Sequence, residues 1–169
     1  MRSKIFLTVE GGVAGAIATP PDNVSKSHDP VVMLAKLLLK VVRWKGKYEA
    51  KRLKEFDDKV QEAVKQALGD RVREMWYIDG LFTAPSYQRQ GYGGALLNAV
   101  TRQADRDSCA SWLKSSEATT AFYSSWGFTV VTEVVIGDDN QTWTGPPVVI
   151  SIMLRRPNGH SGGLDEKSA

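Results

Sequence analysis

The opening run Ile5-Phe6-Leu7-Thr8-Val9 alternates as a strand does, and Val13–Ala18 resumes the pattern after Glu10-Gly11-Gly12. Together they predict a β-hairpin on a glycine turn. Residues 19–28, with Pro20-Pro21, read as a loop. Asp29-Pro30 is an N-cap followed by proline at the first helical position, and it opens an apolar helix through Leu34, Leu37, Leu38 and Val41. A second helix, Tyr48–Leu68, carries Leu53, Phe56, Val60, Val64 and Leu68 on one face, and Gly69 ends it. The pattern then predicts a central strand over Arg71–Thr83, a helix over Gly91–Asp105, a strand over Ser108–Lys114 and a helix over Ala118–Trp126. Phe128–Ile136 and Val148–Arg155 should close an antiparallel pair around Gly137-Asp138-Asp139-Asn140. The chain has no internal repeats. From Pro157 it turns polar and Gly/Ser-rich, which predicts one domain over 1–156 and a flexible tail over 157–169.

Composition narrows the classes of function. A chain of 169 residues is one domain with room for a real core. A net charge of +3 does not argue for nucleic acid. Cys109 is the only cysteine, so no internal disulfide can form and a reducing compartment is expected. Its place in a predicted buried strand favours a packing role over a reactive thiol. No apolar run has the length of a membrane span, and the first residues are too short for a signal peptide. The expected location is therefore cytoplasmic. Lys36 to Arg73 is rich in Lys and Arg with interspersed acids; it reads either as a groove for an acidic partner or, preferably, as two helices with solvated faces. Trp44 reads equally as a substrate-facing aromatic or a packing residue. His28 and His160 fall in loop and tail, and no His/Cys/carboxylate set has metal-ligand spacing, so no metal is expected.

The chemistry-bearing stretch is Gln88-Arg89-Gln90-Gly91-Tyr92-Gly93-Gly94, between a β-rich run and the amphipathic helix that begins Ala95-Leu96-Leu97. Glycines there allow tight turning or close approach of the backbone to a ligand. Free N–H groups and the positive end of the helix dipole meet at one spot, which predicts a phosphorylated ligand. A P-loop is excluded because Ala95-Leu96 stands where Lys and Ser or Thr are needed. A dinucleotide fingerprint is excluded because Leu96 occupies the third glycine position.

The form that fits is Gln/Arg-x-x-Gly-x-Gly/Ala, and it resembles the acyl-CoA loop of the GNAT superfamily of N-acetyltransferases. The whole run from Trp76 to Leu97 is similar to that family's strand, proline-bearing loop and helix. Downstream, Trp112-Leu113-Lys114-Ser115-Ser116 and Ala121-Phe122-Tyr123-Ser124-Ser125-Trp126-Gly127-Phe128 resemble its next strand and its Tyr-x-x-x-Gly-Phe helix end. The resemblance is good over Lys4–Gly15 and Arg71–Arg155, loose between them, and nearest to a fungal-type branch of small single-domain members. It implies an α/β (α+β) fold: a mixed, mostly antiparallel sheet with a central splayed parallel strand pair and helices on both faces. Family members usually place a strand and one or two helices ahead of the hairpin; this chain begins at that hairpin, so its first strand should have an open edge that invites a homodimer.

The resemblance further implies acetyl-CoA as co-substrate and the primary amine of a small molecule or peptide as acceptor. A bulge near Leu81-Phe82-Thr83 would start the split between the parallel strands. The pantetheine arm would bond to backbone near Leu81 and Thr83, with an N–H near Phe82 as the oxyanion donor. The pyrophosphate would lie on the amides of Arg89, Gln90, Gly91, Tyr92, Gly93 and Gly94, beside Gln88. Tyr123 matches the tyrosine that often protonates the leaving thiolate, or else it is an aromatic packing residue. Asp79 is the candidate base, or else a carboxylate lining the pocket. Glu117 reads better as an N-terminal capping residue, and Lys114 stands where the branch often has an acid. A non-catalytic CoA-binding module and a subunit completed by a partner are the alternatives.

Overall fold

The structure, a computed structural model, describes residues 4–23, 47–138 and 143–158. The predicted helix from Asp29, and Trp44, lie outside these residues. The hairpin forms as β1 (Ile5–Val9) and β2 (Ala14–Thr19), joined by a short 3-10 turn in which Glu10, Gly11 and Gly12 all have positive φ. Helix α1 spans Lys47–Leu68 and β3 spans Trp76–Thr83. Then come α2 (Tyr92–Arg106), β4 (Ser111–Ser116), α3 (Glu117–Ser124), β5 (Thr129–Ile136) and β6 (Val148–Arg155). The six strands form one sheet in the order β1-β2-β3-β4-β6-β5, antiparallel throughout except for the parallel pair β3–β4. β1 is an edge strand, with Ile5 and Phe6 exposed.

Each sheet face buries a helix. On one face Ala14, Ala16 and Ala18, each at most 2% exposed, lie with Trp76, Ile78 and Leu113 against Leu96, Leu97 and Val100 of α2. Three alanines in alternate positions leave room for the helix to approach the sheet closely, and the larger strand residues fill the space beside it. On the other face Val60, Val64 and Leu68 of α1 pack on Met75, Trp112 and Ile152. The i, i+4 spacing read from the sequence is this contact.

The starts of two strands, β3 and β4, differ most from expectation. Residues Gly69–Glu74 form a 3-10 helix, and β3 begins only at Trp76, whose N–H bonds Ala110 O at 2.9 Å. The charged run Asp70-Arg71-Val72-Arg73-Glu74 has a single apolar side chain, Val72, which packs on the α1 cluster. It has no alternation to sustain a half-buried strand. Cys109 is not in a buried strand either. The end of α2 tightens through Ser108 N–H to Asp105 O (3.0 Å) and Cys109 N–H to Ala104 O (2.9 Å), so β4 starts at Ser111 and Cys109 is half-buried in a turn.

The Tyr-x-x-x-Gly-Phe spacing has a local cause. Gly127, at φ 83°, reverses the chain after α3, with Gly127 N–H bonding Ser124 O (3.0 Å) and Phe128 N–H bonding Tyr123 O (3.2 Å). This is the paired bonding of a Schellman end, and its usual hydrophobic contact is present: the Tyr123 and Phe128 rings meet edge-on with centroids 6.1 Å apart. The motif fixes where the Tyr123 ring stands.

The chain at the end of β6 is also tied down. Arg155, on β6, makes two parallel bonds to the Asp105 carboxylate of α2, at 2.8 and 2.9 Å, and Asn158 N–H adds a third to it at 2.9 Å. Asn158 falls within the predicted tail, and residues 159–169 lie outside the described residues.

Candidate active site

The parallel ladder between β3 and β4 is short. Trp76 faces Ser111, Tyr77 faces Trp112 and Ile78 faces Leu113; beyond these three the strands no longer pair, although β3 runs on to Thr83 and β4 to Ser116. A gap therefore opens between Asp79–Thr83 and Lys114–Ser116. The bulge that accompanies it is not at Leu81-Phe82-Thr83. Ile17 pairs with Gly80 while its neighbour Ala18 pairs with Ile78, so the extra residue is Asp79.

Which backbone groups face the gap follows from the ladder on the other side of β3. Ala84 N–H donates to Val13 O at 2.8 Å, and Thr83, Phe82, Leu81 and Gly80 pair in order with Ala14, Gly15, Ala16 and Ile17. In an antiparallel ladder alternate residues bond the partner. The amides of Phe82 and Gly80 therefore turn to β2, while those of Leu81 and Thr83 turn to the gap. The Phe82 amide therefore does not face the gap. The half-exposed Phe82 ring lies over Gly15, where a Cβ would come within 2.6 Å of it.

The glycine loop sits at the same end of the sheet. Gln88 reaches back with Nε2 to Thr83 O at 3.3 Å, and Gln90 Nε2 to Ser86 O at 3.4 Å. Arg89 (φ 63°) and Gly91 (φ 85°) both take left-handed conformations that turn the chain into α2. Ala95 N–H is the first to find an intrahelical acceptor, Gly91 O at 2.9 Å. The N–H groups of Tyr92, Gly93 and Gly94 precede it, and Gly91 as N-cap has no side chain to close them. Arg89 is exposed and has no ion-pair partner among the described residues. The Tyr92 hydroxyl is held by Glu10, which raises its pKa.

The three glycines have different reasons. Gly91 is needed for its positive φ, with open space around it. At Gly94 a Cβ would stand 2.8 Å from Cζ2 of Trp126, so that glycine serves helix packing. Gly93 has only ordinary contacts, to Phe122 and Thr83. Phe122 and Trp126 thus seat the end of α3 on the first turn of α2, a contact the sequence reading did not anticipate. Tyr123, next to Phe122 on the same helix, packs against the core cluster that holds Leu96 and Leu97 of α2. The Tyr123 hydroxyl has no hydrogen-bond partner among the described residues, and burial pushes its pKa up, keeping the phenol protonated.

Asp79 is not alone. Lys4 forms an ion pair with its carboxylate, and the Tyr77 hydroxyl lies beside it. Tyr77 is pushed above its ordinary pKa by burial first and by the Asp79 charge second. No sequence signal pointed to Lys4, 75 positions away from its partner. Glu117 is the first residue of α3 and is exposed. Lys114 stands one residue past the last parallel pair, with Nζ 5.3 Å from the Phe56 ring centroid and 5.5 Å from that of Tyr77. Among the described residues no group of three or more His, Cys, Asp or Glu could hold a metal ion, and no helix is long and apolar enough to cross a membrane.

A mixed sheet whose one parallel pair parts beside an uncapped helix N-terminus is the acetyltransferase arrangement expected above, and residues 51–130 match the family model of the acetyltransferase (GNAT) domain. Over that segment the chain is similar to the GNAT superfamily of acetyltransferases. No curated protein matches it. Among solved structures it is similar to an acetyltransferase from Bacillus cereus, at 14% identity and a TM-score of 0.48 over 92% of this chain and 73% of that one. A Corynebacterium glutamicum structure described as histone acetyltransferase HPA2 and related acetyltransferase overlaps at 19% identity and a TM-score of 0.45, covering 90% of this chain and 62% of that one. A GNAT family acetyltransferase from Elizabethkingia anophelis with acetyl-CoA bound matches at 17% identity and a TM-score of 0.39, over 48% and 60% of the two chains.

Proposed function

We propose that the chain transfers the acetyl group of acetyl-CoA to the primary amine of a small molecule or peptide. The observation that carries this is the parting of β3 and β4 after Ile78 and Leu113, at the same end of the sheet as the uncapped amides before Ala95. The amides of Arg89 to Gly94 hold the diphosphate, with Arg89 as the neighbouring cation and Gln88 and Gln90 bracing the loop. Leu81 and Thr83 present backbone groups to the pantetheine amides. Leu81 N–H also replaces the Phe82 amide as the donor to the thioester oxygen; one such donor is worth on the order of a hundredfold or more in rate.

The acceptor nitrogen attacks the thioester carbon, the carbon–sulfur bond breaks, and the thiolate leaves. Tyr123 donates its phenolic proton to that sulfur. The attacking ammonium loses one proton before the step and one after it. Asp79, the carboxylate on β3 at the split, receives a proton directly or through water, with Lys4 as its ion-pair partner. The edge of β1, the end strand among the described residues, with Ile5 and Phe6 exposed, is the route to a homodimer.

A melting-temperature titration with acetyl-CoA, followed by a thiol-release assay over small amines and basic peptides, tests the reading. The expected result is a saturable upward shift, as for any ligand that binds only the folded state, and thiol release that depends on an amine. A shift with no release from any amine would mark a non-catalytic CoA-binding module. No shift at saturating ligand would remove the reading altogether.

A further inference from the structure

Between α1 and the sheet lies a cavity of about 610 Å³ that reaches from Asp70 to Lys114, and so to the mouth of the gap. Its floor is the stacked pair Tyr77 and Trp112, with ring centroids 4.2 Å apart and planes 20° from parallel. Most charged groups on its rim are exposed, and some are matched: Lys54 bonds Asp58 at 2.9 Å and Gln66 bonds Glu62 at 2.8 Å. Two charged groups in it are half-buried, Asp57 from α1 and Lys114 from β4. Neither has an ion-pair partner among the described residues, and they are not paired with each other. Lys114 rests on ring faces instead, which hold a cation without neutralising it.

Half-buried charges left without counterions cost free energy unless a ligand answers them. One anion and one cation in one aromatic-floored cavity are complementary to a ligand that carries both charges. We propose that this cavity is the acceptor site and that the acceptor is a zwitterionic amine, of the amino-acid type, with its carboxylate on Lys114, its ammonium toward Asp57 and an apolar or aromatic body on the Tyr77–Trp112 floor. The proposal rests on the acetyl-transfer reading above, and it explains what a lysine does at a position where an acid was expected. A peptide acceptor bound through its N-terminus has no carboxylate at this spacing and would leave Lys114 unanswered.

The test compares L-phenylalanine with phenethylamine, and L-leucine with 3-methylbutylamine, in the thiol-release assay at saturating acetyl-CoA. Each pair differs only in the carboxylate. The wild type should favour the amino acid by about tenfold or more in kcat/KM, the size expected of one charge-assisted hydrogen bond. Lys114→Gln and Lys114→Met should abolish that ratio, through KM for the amino acid, whereas Asp57→Asn should raise KM for both members of each pair. A wild-type preference for the amines without carboxylate, or a ratio that survives both Lys114 variants, would overturn the proposal. Calorimetric titration of the CoA-bound protein with L-phenylalanine and phenethylamine separates the two readings if turnover is absent. Binding of the amino acid alone supports the site without supporting catalysis, and equal or no binding of the pair rejects it even where acetyl-CoA binds.

Discussion

Tyr123→Phe should lower kcat by about 10²–10⁴-fold, the usual worth of a general acid, while the acetyl-CoA dissociation constant and the stability stay near wild type. The expectation of unchanged stability has a structural basis. The hydroxyl bonds nothing among the described residues, whereas the ring is held by Phe122, with centroids 5.2 Å apart, and by Phe128, and a phenylalanine keeps both contacts. A purely packing role predicts the opposite pattern, full activity in the variant. The pH profile adds an independent check. Burial raises the Tyr123 pKa above an ordinary tyrosine near ~10, so its protonated form persists throughout the neutral and mildly alkaline range. Activity should show no alkaline loss attributable to this group below that range.

The second large effect concerns stability. Asp105→Asn should destabilise the fold by about 2 kcal/mol, less than the 3–5 kcal/mol of a fully buried broken pair because Asp105 keeps some exposure. The carboxylate takes both Arg155 bonds and the Asn158 amide, and Arg155 is buried. Without it the guanidinium between α2 and β6 is left unpaired. Hydrogen bonding from Arg155 holds the Asp105 carboxyl below its ordinary pKa. A depressed folded-state value means that the stabilisation is present above the unfolded pKa of an aspartate and is lost as pH falls through the lower folded value. Urea unfolding of wild type and variant at neutral pH and in acid reads this out: the gap between them should close in acid. A gap independent of pH would show that the lost carboxylate charge is not its cause.

The parts of the site that depend on local pattern were legible in the sequence. The loop from Gln88 to Gly94, the helix after it and the Tyr123-x-x-x-Gly127-Phe128 end are each encoded within a few residues, by positive-φ glycines and by helix-end bonding. The order of strands came with the resemblance. What stayed hidden depends on pairing between distant segments. The bulge lies at Asp79 because of how β2 registers against β3, and no residue within β3 announces it. The direction of the Phe82 amide follows from the same register. Lys4 meets Asp79 across a hairpin, and Asp57 meets the Tyr77–Trp112 floor only when α1 packs. Cys109 was misplaced because a bonded turn at the end of α2 consumes residues that look strand-like. Gly94 reads as a phosphate-loop glycine, yet the group that demands its missing side chain is Trp126, 32 residues on.

Main-chain amides of β3 at the gap and of the loop that opens α2 should receive the two halves of acetyl-CoA. Amide hydrogen exchange of the protein with and without saturating acetyl-CoA, resolved to single residues, tests it most directly. New protection is expected at Leu81, Thr83 and Arg89 through Gly94, with little change at Phe82, already bonded to β2. Ligand-dependent protection elsewhere, with these amides unchanged, would contradict it.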